Sequence, residues 1–288
     1  MRGRIAMILG LVLAVSLVLA ALGSVRSGQA EELLRELTGE RGRSLKAGAS
    51  PQVGELTRYE KAKIAAAARA AEEEKALEES SMEVDPALRL ENTVDFTALK
   101  KQNKDVYAWI TIPDTKVDYP VLQHPTKDEY YLNRTIDHVS GLPGSIYSEP
   151  IHPRDFSAPQ TILYGHNMKN GTMFGSLHRY DKAAFFEEQP YVYIHLPDRT
   201  LLYEIFAAVR FSDDYLPAIY DFEEQESFEA FIEDVQNSPG HVREGMEAPF
   251  GRPILTLSTC IGGAPHNRFL VVCVLVGEYE KEEFLFFS

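Results

Sequence analysis

From about residue 91 onward, short apolar runs alternate with turn signals along the chain. The runs are rich in β-branched and aromatic residues, and pairs such as Pro-Asp and Pro-Gly separate them, which is typical of β-strands joined by tight turns. We therefore predict a mainly β domain, either a barrel or a sandwich. The predicted strands cover residues 108–112, 117–122, 144–147, 161–164, 191–195, 201–211, 254–259 and 268–279.

Two segments between these strands have helical patterns instead. The first is 172–186, with the sequence TMFGSLHRYDKAAFF. The second is 222–237, where apolar side chains recur at helical spacing and where Asp221 with Glu224 resembles a capping box. The apolar face of this second helix consists of Phe228, Phe231, Ile232 and Val235.

The N-terminal segment follows a third pattern. Residues 5–25 carry no charge, and at a helical rise of roughly 1.5 Å per residue they would span about 30 Å, the thickness of a bilayer core. The stretch is longer than the roughly 7–15 residues of a signal-peptide apolar region, so we expect an uncleaved membrane anchor in residues 1–26. A cleaved signal peptide is the alternative. Arg2 and Arg4 favour a cytoplasmic N-terminus, with the remainder of the chain outside the cytoplasm.

Residues 27–90 separate this anchor from the β domain. They are rich in Ala, Glu, Arg and Lys, and Tyr59 is their only aromatic residue. Their apolar positions are mostly alanine, which buries little surface, so we predict a partly helical stalk. The predicted domains are therefore an anchor at 1–26, a stalk at 27–90 and a β domain at 91–288.

The charge balance excludes one class of partner. The 288-residue chain has 29 Lys and Arg against 43 Asp and Glu, a formal net charge of −14. Nucleic-acid binding requires clustered basic residues, whereas the pronounced charge runs here are acidic or mixed. The sequence also has no His, Asp and Glu spacing typical of a metal site and no phosphate-binding glycine motif, so we expect no cofactor.

The chain's two cysteines lie near its C-terminus, in ILTLSTCIGGAPHNRFLVVCVLVG. In an exported protein, two cysteines usually form a disulfide. If the two apolar runs form a hairpin with Cys260 opposite Arg268, however, Cys273 lies opposite Leu255. The two cysteines are then roughly 16 Å apart along the strands, beyond the Cα separation of roughly 7 Å that a disulfide permits. We therefore predict a buried core thiol at Cys273 and a free thiol at Cys260.

A free thiol beside an arginine has two of the groups that a nucleophilic site needs. A nearby cation increases the thiolate fraction, and a guanidinium also stabilises the oxyanion that forms when sulfur attacks a carbonyl. Amide chemistry further needs a proton carrier, and histidine titrates in the useful range. His166 directly follows a predicted strand in TILYGHNM, whereas its rival His266 lies in the glycine-rich loop after Cys260. The alternative is a non-catalytic, ligand-binding surface barrel with Cys260 as a buried structural thiol.

At this point the motifs resemble a known family. TLSTC, the strand that opens with Arg268, and the upstream YGHN are similar to the sortases, which are cysteine transpeptidases of Gram-positive cell surfaces. The segments NKDVYAWITIPDTKVDYPVLQ and YYLN resemble class B sortases in particular. The resemblance covers about 91–279 and implies a closed eight-stranded β-barrel with peripheral helices, a thioacyl-enzyme intermediate and no cofactor. The loop IGGAPHN departs from the pattern, because it lacks the acidic residue that often follows the cysteine.

The resemblance also implies roles for individual residues. Cys260 corresponds to the nucleophile, His166 to the general acid and base, and Arg268 to the residue that stabilises the oxyanion or holds the substrate. Three further residues correspond to substrate-binding positions: Ser258, Asn167 and Thr259.

The implied substrate is an exported protein with a C-terminal sorting pentapeptide of the type Asn/Ser-Pro-X-Thr-Gly/Asn, which is cleaved after Thr. The acyl group would pass to an amine of a peptidoglycan precursor of the lipid II type, which anchors the protein to the cell wall. A lysine of a pilin subunit is an alternative acceptor, and a hydrolase would use water instead. The residues quoted above fit all three acceptors.

Overall fold

Nine β-strands form most of the regular structure in residues 84–281, the part of the chain that the computed structural model describes. Their bounds are β1 Val106–Thr111, β2 Asp118–Leu122, β3 Ile146–Tyr147, β4 Gln160–Tyr164, β5 Tyr191–His195, β6 Arg199–Ser212, β7 Gly240–Val242, β8 Ile254–Ile261 and β9 Ala264–Glu280. All eight predicted strands are present, with most ends shifted by a few residues. The sequence pattern missed β7, because three residues are too few to show alternation.

Eight of these strands close into a barrel. Around the ring the order is β5, β1, β2, β3, β4, β8, β9 and β6, and pairing between β6 and β5 completes the circle. The pairs β2–β3 and β4–β8 are parallel, and the other pairs of the ring are antiparallel. The short strand β7 pairs with β6 beyond the segment that β5 occupies. The predicted closed eight-stranded β-barrel is confirmed, and the sandwich alternative is wrong.

Helices lie around this barrel. The α-helices in the described residues are α1 Phe96–Gln102, α2 Ala183–Glu188, α3 Leu216–Ile219 and α4 Gln225–Asn237, and the 3₁₀ helices are Pro86–Leu88 and Phe174–Asp181. The segment predicted as a single helix at 172–186 is thus a 3₁₀ helix followed by α2. Helices α1 and α3 were not predicted, because each has two turns or fewer and too few residues to show a helical period.

Helix α4 begins later than the sequence predicted. Its N-cap is Glu224, which makes no side-chain capping bond. Asp221 instead accepts a hydrogen bond from Glu223 N–H (3.1 Å) and donates its own N–H to Ser227 Oγ (2.8 Å). The capping box predicted at Asp221 is therefore wrong, because Asp221 closes a turn ahead of the helix. The predicted apolar face is confirmed, since all four of its residues are buried: Phe228, Phe231, Ile232 and Val235.

The central strands β4, β8 and β9 bury side chains on both of their faces. Leu163, Leu257 and Val271 belong to the core inside the barrel. The alternate side chains, such as Ile162 and Val272, belong to a second core on the outer face, where they are joined by the apolar face of α4. Because both faces of these strands are buried, their sequences are nearly continuous apolar runs.

The packed structure includes the last residues of the segment predicted as stalk. Val84 is buried, and the Tyr279 hydroxyl accepts the Leu90 N–H (2.9 Å) while it donates to the Leu90 carbonyl (2.8 Å). The predicted anchor and the remainder of the predicted stalk lie outside the described residues. Within residues 84–281, no helix combines the length and the apolar character needed to cross a bilayer.

Candidate active site

The β8–β9 hairpin places Cys260 directly opposite Arg268 and Leu255 opposite Cys273, as the sequence predicted. Both cysteines are free, Cys260 is exposed and Cys273 is fully buried in the barrel core. Burial raises the pKa of the Cys273 thiol far above its usual range, so this thiol stays protonated. The disulfide is excluded, and the two predicted environments of the thiols are confirmed. The exposure of Cys260 also argues against a buried structural thiol at this position.

His166 comes to the same edge of the sheet from β4. This strand runs parallel to β8, its last residue Tyr164 pairs with Ser258, and Gly165 N–H continues the ladder to the Ser258 carbonyl at 3.2 Å. Two residues beyond the Tyr164–Ser258 pair on each strand, His166 is level with Cys260. Gly165 is required for this path, because a Cβ there would overlap the ring of Phe174.

All three predicted catalytic residues lie on the outer face of the barrel. Side chains alternate between the two faces of a strand, and Ile162 and Leu270 belong to the outer core. His166 on the continuation of β4 and Arg268 on β9 have the same parity as these residues, and Cys260 faces outward as the cross-strand partner of Arg268. The structure therefore brings the three positions together at the ends of neighbouring strands.

The imidazole of His166 is oriented by a backbone carbonyl. Nε2 of His166 lies 2.8 Å from the carbonyl oxygen of Leu132. Because a carbonyl oxygen only accepts, Nε2 carries the proton, and Nδ1 is the nitrogen that remains for proton exchange. The Leu132 contact was not predicted, since a backbone carbonyl has no signature in the sequence.

The loop around Leu132 depends on one glycine. Gly144 has a φ of +67°, and a Cβ on this residue would overlap the Leu132 carbonyl oxygen. The missing side chain of Gly144 thus leaves room for the carbonyl that orients His166.

The guanidinium of Arg268 has only weak contacts. Nη1 donates to the carbonyls of Pro265 (3.4 Å) and Asn267 (3.3 Å), both in its own hairpin. Among residues 84–281, Arg268 forms no ion pair, and it makes no hydrogen bond to Cys260 or His166. No carboxylate within residues 84–281 therefore neutralises its charge, and its long hydrogen bonds are easily exchanged for a stronger acceptor.

The three residues predicted to bind substrate have different surroundings. Ser258 shares the face of Cys260 and is largely buried, at 7% exposed. Thr259 is buried on the opposite face, and its hydroxyl donates to the Gly165 carbonyl at 2.7 Å. Nδ2 of Asn167 donates to the Cys260 carbonyl at 2.9 Å. Thr259 and Asn167 thus hold the ends of β4 and β8 together, a structural contact that the sequence did not indicate.

An aromatic and acidic cluster lies beside this site. The rings of Tyr147 and Tyr164 stack with their centroids 5.4 Å apart, and the Tyr215 hydroxyl donates to Glu149 Oε2 at 2.7 Å. Burial raises the pKa of Glu149, while the bond from Tyr215 opposes this shift. Burial also raises the pKa of Tyr147, and the negative charges of Glu129 and Glu149 add to the effect. The outer face next to the cysteine is therefore aromatic, with uncharged phenols at neutral pH.

Across residues 84–281, no group of three or more His, Cys, Asp or Glu side chains is arranged to hold a metal ion.

Comparisons with known proteins find a matching family model and similar relatives. The family model described as "Sortase domain" matches residues 110–276, more than half of the chain. Sortase B of Listeria monocytogenes is 34% identical over 162 residues, which cover 56% of this chain and 65% of that protein. The chain thus spans slightly less than two thirds of the length of that relative.

Solved structures of similar proteins have the same fold. The structure of Clostridium perfringens sortase B is matched with a TM-score of 0.58 and 26% identity, over 63% of this chain and 100% of that one. A Staphylococcus aureus sortase B–substrate complex is matched with a TM-score of 0.56 and 28% identity, over 63% of this chain and 84% of that one. From the family match, the curated relative and the shared barrel, we conclude that this chain belongs to the sortase family, in class B.

Proposed function

We propose that this protein is a cysteine transpeptidase that cleaves a C-terminal sorting pentapeptide of the type Asn/Ser-Pro-X-Thr-Gly/Asn after Thr and transfers the acyl group to an amine. The observation that carries the proposal is the convergence of Cys260, His166 and Arg268 at the ends of three neighbouring strands. Membership of the sortase family supports it, and so does the substrate complex of the Staphylococcus aureus relative.

In the first step, the Cys260 thiolate attacks the carbonyl carbon of the threonine. The carbonyl π electrons move to oxygen, and the Arg268 guanidinium stabilises this oxyanion, a contribution typically worth about 3 kcal/mol. The guanidinium gives up its long bonds to the hairpin carbonyls to do so. When the oxyanion collapses, the amide C–N bond breaks, and Nδ1 of protonated His166 gives its proton to the departing amine. The product of this step is a thioester between Thr and Cys260.

In the second step, an amine attacks the thioester. His166 accepts the proton of the attacking amine, the C–S bond breaks, and the thiolate of Cys260 is restored. We propose a peptidoglycan-precursor amine as the acceptor, which anchors the substrate protein to the cell wall.

The proposed location follows from this chemistry and from the N-terminal sequence. We propose that residues 1–26 anchor the chain in the cell membrane, with the N-terminus cytoplasmic and the catalytic domain extracellular, where exported substrates and wall precursors meet.

The test is an incubation of the full-length chain with candidate pentapeptides, with and without triglycine as the amine. We expect a peptide–triglycine adduct in the wild type, its loss in Cys260→Ala and His166→Ala, and a strong decrease in Arg268→Ala. His266→Gln is the matched control, because His266 lies in the same hairpin, is 89% exposed and has no assigned role. Cleavage without aminolysis would identify a hydrolase, and turnover by Cys260→Ala would refute the proposal.

A further inference from the structure

The backbone carbonyl of Cys260 is held by two side chains from outside its own strand. Nδ2 of Asn167 lies 2.9 Å and Nε2 of His178 lies 3.0 Å from this oxygen. A carbonyl oxygen has two lone pairs and only accepts, so the contact with His178 is a hydrogen bond when Nε2 carries the ring proton. Nδ2 of Asn167 and Nε2 of His178 are themselves 3.0 Å apart, and in this tautomer both nitrogens are donors that face the same oxygen.

Asn167 replaces a missing bond of the β4–β8 ladder. Hydrogen bonds between parallel strands are evenly spaced, and Gly165 N–H donates to the Ser258 carbonyl. The next bond in this series would run from the Asn167 N–H to the Cys260 carbonyl. That backbone bond is absent among the described residues: Asn167 lies opposite Met173 in an isolated bridge, whose hydrogen bond runs from Phe174 N–H to the His166 carbonyl, and the Asn167 side-chain amide makes the bond to the Cys260 carbonyl.

His178, on the 3₁₀ helix Phe174–Asp181, supplies the second donor from a fixed position. Its ring packs against Phe269 with the centroids 4.8 Å apart, and its side chain is 24% exposed. Nδ1 of His178 lies 3.9 Å from Oδ2 of Asp181, too far for a hydrogen bond. The ring is thus oriented by its aromatic contact with Phe269 and by the contact of Nε2 with the Cys260 carbonyl.

Cys260 has few other restraints. It is exposed, and the regular β8–β9 register is interrupted directly after it, between Cys260 and Ile261. The orientation of the Cys260 peptide plane sets the direction of the Cα–Cβ bond, and with it the position of the sulfur. Small displacements of a reacting group cost large factors in rate, so a carbonyl held by two donors has a direct effect on the chemistry.

We propose that His178, assisted by Asn167, is a positioning residue that fixes the Cys260 carbonyl and thereby keeps the thiol beside His166. This inference rests on the proposed transpeptidase function. It assigns His178 no proton transfer and no contact with substrate. Its effect reaches the reaction only through the backbone of the nucleophile.

The test compares two substitutions in the full-length chain. His178→Phe keeps an aromatic ring against Phe269 but removes the donor, whereas His178→Gln keeps an N–H donor. His241→Gln is the matched control, because Nε2 of His241 also contacts Asp181, at its backbone carbonyl (3.0 Å), without reaching Cys260. The measurements are kcat and KM for the sorting peptide, the melting temperature, and the rate at which iodoacetamide alkylates Cys260 in the native protein.

We expect His178→Phe to lower kcat by about tenfold with KM within about twofold, since one oriented hydrogen bond is lost from the nucleophile. It should slow native alkylation of Cys260, while His178→Gln and His241→Gln remain close to wild type. Equal kcat values and equal alkylation rates in His178→Phe and wild type would overturn the proposal. It would also be overturned if kcat decreased equally in His178→Phe and His178→Gln, or if the decrease in kcat were proportional to a decrease in the melting temperature. A wild type that does not turn over the peptide would refute the proposed function, and the alkylation rates would still decide whether His178 positions Cys260.

Discussion

Cys260 and Cys273 carry the same thiol in opposite surroundings. Cys260 is exposed at a strand end, whereas Cys273 is fully buried and its pKa is raised by burial. We predict that iodoacetamide modifies Cys260 in the native full-length chain and reaches Cys273 only after unfolding, because the thiolate is the reactive form. Peptide mapping by mass spectrometry identifies the modified residue. Native labelling of Cys273, or protection of Cys260 until denaturant is added, would contradict the assigned environments.

Two buried histidines make the stability of the domain sensitive to acid. Burial lowers the pKa of His152 to about 4 and that of His195 to about 4, and Nε2 of His152 has no hydrogen-bond partner among the described residues. In the unfolded chain both titrate near the ordinary value of about 6.5. Between these two pH values the unfolded state binds more protons, so the free energy of unfolding decreases as the pH falls from about 6.5 to about 4 and is independent of these groups above about 7.

Each histidine should contribute a slope of about 1.4 kcal/mol per pH unit in this window. Urea unfolding between pH 4.5 and pH 7.5 measures the slope, and comparison with His195→Gln separates this histidine from the carboxylates. The substitution should reduce the slope by about that amount. An unchanged slope in His195→Gln would show that this histidine does not control the acid response.

At the residue scale, the sequence predicts some contacts of the site and not others. The pairing of Cys260 with Arg268 follows from counting along one hairpin, because antiparallel partners have a constant sum of residue numbers. The position of His166 beside Cys260 depends on a parallel pairing between distant segments, which no local pattern specifies. Only the family resemblance indicated that His166 and Cys260 act in the same site. The carbonyl of Leu132 and the donor role of His178 have no sequence signal, since any residue supplies a carbonyl and a histidine fits many environments.

At the scale of elements, the loop between β2 and β3 controls the orientation of His166. A side chain at Gly144 would overlap the Leu132 carbonyl that accepts the His166 Nε2 proton. We predict that Gly144→Ala displaces this carbonyl and lowers kcat/KM by about tenfold or more, because the imidazole loses its fixed orientation. Steady-state kinetics with the sorting peptide measure the effect.

Gly141 provides the matched control for this prediction. It lies in the same loop and also has a positive φ, of +121°, but a Cβ at Gly141 meets no atom within 4 Å. Gly141→Ala therefore has the backbone strain without the overlap, and it should retain activity close to wild type. Equal activity of the two variants would mean that the Leu132 carbonyl does not need the space at Gly144.

Helices and strands were predicted best where buried apolar side chains recur at a regular spacing along the sequence. The face of α4 is correct because four large apolar side chains recur at helical spacing and are all buried. The predicted start of α4 is wrong because Asp221 and Glu224 have the residue types of a capping box, whereas Asp221 forms a local turn ahead of the helix. Strand β7 and helix α3 were missed because elements of three and four residues carry no detectable period.

At the scale of the whole molecule, the barrel aligns the site. The strands that carry His166, Cys260 and Arg268 are consecutive neighbours in the ring, in the order β4, β8 and β9, and α4 packs on the outer face of the same strands. Side chains buried on both faces fix the strands that carry the site, as a precise site requires. The sequence pattern predicts a β domain but leaves the choice between barrel and sandwich open, because closure depends on the pairing of β5 with β6 and with β1 rather than on any single strand.

The most direct test of the central claim is the capture of the acyl-enzyme. The full-length chain is incubated with the cleavable pentapeptide in the absence of an acceptor amine, and the intact mass and the modified residue are determined by mass spectrometry. We predict a thioester adduct on Cys260 that contains the peptide through its threonine, is absent in Cys260→Ala, and disappears when triglycine is added. An adduct on another residue, or cleavage of the peptide with no dependence on Cys260, would contradict the account.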